Sequence, residues 1–157
     1  MSDEYRYDDP ALARAAEMFK KTFGELYGGY LCRQLHEGPV GINRFVMCEI
    51  GPLVWMRDTL PIKTRMFVAI ATLTALNRED VKYFMRGAFC HGATRQEIEE
   101  VLIVAGQEAG YPAAITAARR LDEAEREHLA FMAEHGGQAA AGATTGGGTV
   151  TTTTAGQ

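Results

Sequence analysis

The stretch TRQEIEEVLIVAGQEAGYPAAITAARRL, residues 94–121, sets the fold class. Thr94 and Glu97 stand three apart, ahead of an apolar run. In that pattern the threonine hydroxyl accepts from the N3 backbone N–H while the glutamate reaches back to the N-cap N–H. A helix therefore starts at Thr94. Val101, Leu102, Ala105 and Ala109 recur at helical spacing, Gly110 ends the run, and Pro112 suits the first turn of a second helix. Two helices joined by so short a link are expected to pack as antiparallel neighbours.

Helical signals continue in both directions. Beyond Arg119 the chain becomes highly charged, as a helix with a solvent face should. Upstream, REDVKYFMRGAFCHG reads as a shorter amphipathic helix with Gly92 as a left-handed cap. TLPIKTRMFVAIATLTALN places Pro61 in a first turn and spaces Phe67, Ile70, Leu73 and Thr74 for burial, so a central helix is expected there. A further helix starts near Ile42 and bends at Pro52, which has no N–H for the carbonyl of Cys48. YLCRQLHEGPVG holds a short helix before Gly38 and Pro39. DPALARAAEMFKKTFGELYGG predicts one helix, N-capped by Asp9, with Leu12, Ala15, Ala16, Phe19, Phe23 and Leu26 on its apolar face and its end at Gly28 and Gly29. No strand pattern competes. The expected fold is all-α, a compact bundle of about five to seven helices over residues 8–135. Residues 136–157, rich in Gly, Ala and Thr and without a charge, are expected to form a disordered tail.

Composition narrows the function. A 157-residue chain with 46% hydrophobic residues supports one domain with its own core. A formal net charge of -4, with Lys and Arg spread among acids, argues against nucleic acid as a partner. The acidic start MSDEYRYDDP has no secretory-signal pattern, and the nearly uncharged apolar run at residues 66–77 is too short for a bilayer. A cytoplasmic protein with no membrane partner is expected. Cys32, Cys48 and Cys90 are odd in number and widely spaced, so neither a disulfide framework nor a zinc site is predicted. No phosphate loop, nucleophile elbow, HExxH or dinucleotide fingerprint is present. Acid–base chemistry without a cofactor or metal remains.

The stretch FVMCEIGPLVWM, residues 45–56, carries one charge, Glu49, in an otherwise greasy run. A carboxylate buried without a partner holds its proton to higher pH and becomes a usable acid or base near neutrality. Glu49 is therefore a candidate catalytic residue; its structural alternative is a pair with an arginine from another helix. Glu108 repeats the pattern on the stripe of Val101, Leu102 and Ala105. His91, at the end of its helix, is either a cap or a catalytic assistant. Arg65 and Arg86 lie beside apolar residues and are candidates to hold a substrate carboxylate, or else to close internal ion pairs. Trp55 and Tyr111 are candidates to line an apolar pocket. His36, His128 and His135 are expected at the surface.

Two stretches, VWMRDTLPIKTRMFVAIATLTALNRED and MRGAFCHGATRQEIEEVLIVAGQEAGYPAAITAARRL, resemble the carboxymuconolactone decarboxylase family, which includes the alkyl hydroperoxidase D-like proteins. The resemblance covers about residues 42–121 and rests on Trp55, Arg57, Arg65, Arg86, Gly92, Thr94, Glu97, Gly110 and Pro112, among others. It implies an all-α fold assembled into trimers or hexamers, active sites near subunit interfaces, and cofactor-free decarboxylation of a carboxylated lactone in aromatic catabolism. It also brings departures. Leu53, Phe84 and Glu108 stand where the decarboxylases commonly carry Glu, His and Tyr, and the CxxC of the redox branch is absent. The expectation is an acid–base enzyme acting on a small anionic lactone-like or unsaturated acid, by decarboxylation or double-bond isomerisation through an enolate-like state. Glu49, Glu108 and His91 would move the proton, and Arg65, Arg86, Trp55 and Tyr111 would bind the substrate. The alternatives are a non-catalytic oligomeric scaffold, in which each acid is paired to an arginine, and thiol-based peroxide chemistry at Cys48 or Cys90.

Overall fold

A computed structural model describes residues 9–37 and 40–143 of the chain. Among them only helices occur: α1 (Pro10–Phe23), α2 (Glu25–Glu37), α3 (Val40–Phe45), a π-helical stretch (Val46–Ile50), α4 (Gly51–Trp55), α5 (Ile62–Ala75), α6 (Val81–Cys90), α7 (Arg95–Ala109) and α8 (Tyr111–Ala143). Because α3, the π stretch and α4 run on without a gap, they form one bent helix. None of these helices is long and apolar enough to cross a membrane.

Pro52 explains the bend. It has no N–H, so the regular ladder cannot pass through it, and the N–H of Gly51 donates to the carbonyl of Val46 five residues back. The extra residue in the turn rotates the face that the helix presents. Met47, Cys48 and Gly51 turn inward, while Phe45, Val46, Ile50, Leu53 and Val54 face out.

The predicted single N-terminal helix is two. The break falls at Gly24, whose φ of +85° lies in the region that favours glycine, and a Cβ there would come within 2.9 Å of the Cβ of Cys90. Gly28 and Gly29 do not stop a helix but lie inside α2. At Gly28 the chain crosses α1 so closely that a Cβ would sit 2.2 Å from the carbonyl oxygen of Phe19.

The other starts and stops follow the expected chemistry. Asp9 caps α1, its Oδ1 accepting from the N–H of Ala11 at 2.8 Å. The Thr94/Glu97 box caps α7, with Oγ1 of Thr94 accepting from the N–H of Glu97 at 3.1 Å and Oε2 of Glu97 accepting from the N–H of Thr94 at 2.8 Å. Gly92 has a φ of +72°. Helix α8 runs on past Gly136, where the tail was expected to begin; residues 144–157, the rest of that segment, lie outside the described residues, as do Gly38 and Pro39. Tyr27, Met47, Met66, Ile70, Met85, Ile98 and Leu121, drawn from the bent helix and from α2, α5, α6, α7 and α8, are the largest fully buried side chains and mark the centre of the core.

Candidate functional site

Glu49 is exposed, contrary to the expectation of a buried acid. The π turn accounts for it, since with Met47, Cys48 and Gly51 inward the two residues between Cys48 and Gly51, Glu49 and Ile50, project outward. Its surroundings are nevertheless greasy: Phe45, Val46, Ile50, Leu53 and Val54 are between 44% and 72% exposed. Among the described residues Glu49 has no hydrogen bond or ion pair. Arg44, which feels its charge, is committed to an ion pair with Asp9. The carboxylate thus stands without a partner on an unusually apolar surface.

Glu108 is exposed as well, again without a partner among the described residues. The buried face of α7 is Ile98, Leu102, Ala105 and Gly106, and its continuation one turn on would be Ala109, at the end of the helix. Glu108 therefore falls beside the buried stripe rather than on it. Tyr111 is half exposed and donates its hydroxyl to Oε1 of Gln107 at 3.3 Å.

Arg65 is engaged by backbone. Its Nε donates to the carbonyl of Leu60 at 3.0 Å, and Nη1 donates to the carbonyls of Trp55 at 3.0 Å and Val54 at 3.4 Å. One planar fork thereby ties the end of α4 to the far side of the loop before α5. Only the two N–H groups of Nη2 have no partner among the described residues. Trp55, held at this anchor, stacks on Phe84 at 5.6 Å between centroids, and Phe84 packs on Phe23 at 5.5 Å.

His91 acts as a cap, but for another helix. Its Nε2 lies 2.9 Å from the carbonyl oxygen of Thr22 in the last turn of α1. A carbonyl only accepts, so Nε2 carries the proton and donates it. Arg86, 9% exposed, takes the internal alternative. Its Nη1 donates to Oε2 of Glu127 at 3.1 Å, and its guanidinium lies 3.9 Å from the centre of the Tyr27 ring. Oε1 of Glu127 also accepts from Lys82 at 2.9 Å. A substrate carboxylate would have to displace Glu127 to reach Arg86.

The structure adds a cluster that sequence reasoning missed, since His128 and His135 are not free surface residues. His128 packs on Phe89 and places Nδ1 4.0 Å from Sγ of Cys90; His135 stacks on Phe131. Burial pushes the Cys90 thiol up to about 11 and the His128 imidazole below its ordinary value, with the Arg86 charge adding to the latter. Burial also raises the Cys48 thiol. A thiolate–imidazolium pair is therefore disfavoured, which speaks against thiol chemistry. Among the described residues no group of three His, Cys, Asp or Glu is placed to hold a metal.

Within one chain the seven candidates do not converge. A cavity of about 110 Å³ opens between the end of α5 and the starts of α6 and α8, and none of the seven lines it. Trp55 and Arg65 are joined by a hydrogen bond. The scaffold alternative fares no better, since neither Glu49 nor Glu108 is closed by an arginine among the described residues.

Comparison with known proteins agrees with the resemblance in the sequence. The profile of the carboxymuconolactone decarboxylase family matches residues 49–124, beginning at Glu49. The chain is 31% identical over 124 residues to the 4-carboxymuconolactone decarboxylase of Acinetobacter baylyi, across 78% of this chain and 89% of that protein.

Proposed function

Because this chain belongs to the carboxymuconolactone decarboxylase family, we propose that it is a cofactor-independent lyase that decarboxylates a small carboxylated lactone-like or unsaturated acid. The family relationship carries the lyase class, and Glu49 carries the chemistry. A carboxylate with no partner, set among five exposed apolar side chains, becomes desolvated as soon as that surface is covered. The cover we propose is a second copy of the chain, in a trimer or hexamer, so that the site is complete only between subunits.

In such a site the bond between the substrate carbon and its carboxylate breaks, carbon dioxide leaves, and the electron pair passes into the conjugated carbonyl as an enolate. Glu49 delivers a proton to carbon and recovers one from solvent after product release. Double-bond isomerisation uses the same enolate, with Glu49 first removing and then returning the proton. Trp55 supplies an apolar wall on the same bent helix, and the Nη2 of Arg65, beside it, is the cation left to meet the substrate's remaining carboxylate. Glu108 and Tyr111 join the site from another copy. In this reading His91 leaves the proton-transfer role and Arg86 the substrate-binding one, and both hold helices in place.

The test is carbon dioxide release from a panel of carboxylated lactones and dienoic acids, with assembly size measured in parallel. Turnover of at least one carboxylated lactone by an oligomer supports the proposal. An oligomer that turns over nothing across the panel favours the non-catalytic scaffold.

A further inference from the structure

The cavity of about 110 Å³ away from Glu49 has the makings of a binding site of its own. Its apolar side is Leu73, Val81 and Ala117, and its polar side is Arg78, Arg120 and Glu79. Thr74, which also lines it, is 2% exposed, and its buried hydroxyl has no hydrogen-bond partner among the described residues. A buried hydroxyl left unmatched is costly, so a ligand that supplies an acceptor is favoured.

The charges around the cavity select the ligand. Val81 begins α6 and Ala113 lies in the first turn of α8, so two helix N-termini border it against one C-terminus, that of α5. Positive helix ends favour an anion. Arg120 already shows how an anion sits there: its Nη2 holds Oε1 of Glu79 at 2.6 Å, while Nη1 holds Glu123. Glu79 is 84% exposed, so that pair is weak and readily exchanged. Arg78 uses Nη2 on Asp80 and leaves Nε and Nη1 without a partner among the described residues. A water takes about 30 Å³ of liquid volume, so the room is about four waters, which suits an acid of three or four carbons.

We propose that this cavity binds a small free carboxylate, its chain on Leu73, Val81 and Ala117, its charge on Arg120 and Arg78 in the place Glu79 now takes. Glu79 is then a built-in competitor. The site is independent of the decarboxylase reading and stands or falls without it.

The experiment is a titration of the ¹⁵N-labelled full chain with propionate at constant ionic strength, with propionamide as the neutral isostere. Saturable shifts confined to the amides of residues 73–81 and 113–120, absent with propionamide, support the site. Glu79→Ala should tighten propionate at least threefold by removing the competitor. Arg120→Gln should weaken it at least tenfold while leaving the helical circular dichroism spectrum unchanged, and Thr74→Val should weaken it severalfold. Propionamide binding as well as propionate, no saturable shift, or no tightening in Glu79→Ala overturns the proposal.

Discussion

Nη1 of Arg65 donates to the carbonyl oxygen of Trp55 at 3.0 Å, so the cation expected to meet a substrate holds a wall of the candidate site in place. Lysine keeps the charge but has no planar fork for the carbonyls of Val54, Trp55 and Leu60. Arg65→Lys should cost about 0.5–1.5 kcal/mol, the net worth of a hydrogen bond at a site that water can reach. Trp55 is the only tryptophan in the chain, so its emission reports this site alone. Arg65→Lys should shift that emission to the red and lower the thermal midpoint; unchanged emission contradicts the anchoring role.

The crossing of α1 and α2 rests on the missing side chain of Gly28. An added methyl would lie 2.2 Å from a backbone oxygen, which cannot step aside as a side-chain tip would. Gly28→Ala should destabilise by about 3 kcal/mol or more, at the upper end of overpacking effects. Gly29→Ala, whose nearest neighbour would be Cε of Lys20 at 3.9 Å, should be neutral or mildly stabilising. Urea titration of the two variants separates them.

Burial holds Cys90 as a thiol. With its ionisation pushed to about 11, only about 0.1% is thiolate at pH 8. Iodoacetamide should modify Cys90 in the folded protein at least tenfold more slowly than in the urea-unfolded chain, as followed by peptide mass spectrometry. Fast modification in the folded protein would restore the thiol alternative.

His128 makes stability pH-dependent. Burial and the Arg86 charge lower its ionisation in the folded state, so the unfolded chain binds its proton first as pH falls. The contribution of His128 is complete above pH 6.5 and is lost as pH drops through 6.5 toward the lower folded value. Replacing His128 by Gln should shrink the loss of denaturation midpoint between pH 7.5 and pH 5. An equal loss in both proteins removes His128 as a cause.

Much of the fold was legible because its signals are local. The Thr94/Glu97 box, Pro10 and Pro112 in first turns, Pro61 at the N-cap of α5 one residue ahead of the first turn expected for it, and the turn at Gly92 are set by neighbours a few residues away. The break at Gly24 was not, because it depends on Cys90, far along the chain. The pairs His91 with Thr22 and Arg86 with Glu127 are 69 and 41 residues apart, and no local pattern announces them. Glu49 is a different case. A lone acid in a greasy run satisfies two arrangements, inside a core or on an apolar surface, and which applies depends on helix phase. Pro52 announced the bend, but a π turn shifts that phase in a way that counting residues at 3.6 per turn does not follow.

Central to the account is the claim that Glu49 transfers the proton once its apolar surface is covered. The most direct measurement is carbon dioxide release by the wild-type oligomer and by Glu49→Gln, on the same carboxylated lactone and at matched assembly size. Loss of one acid–base group of this kind lowers turnover by about 10²–10⁴-fold. We expect a fall in kcat in that range with the helical spectrum and the oligomer intact. A Glu49→Gln protein that releases carbon dioxide at the wild-type rate contradicts the claim.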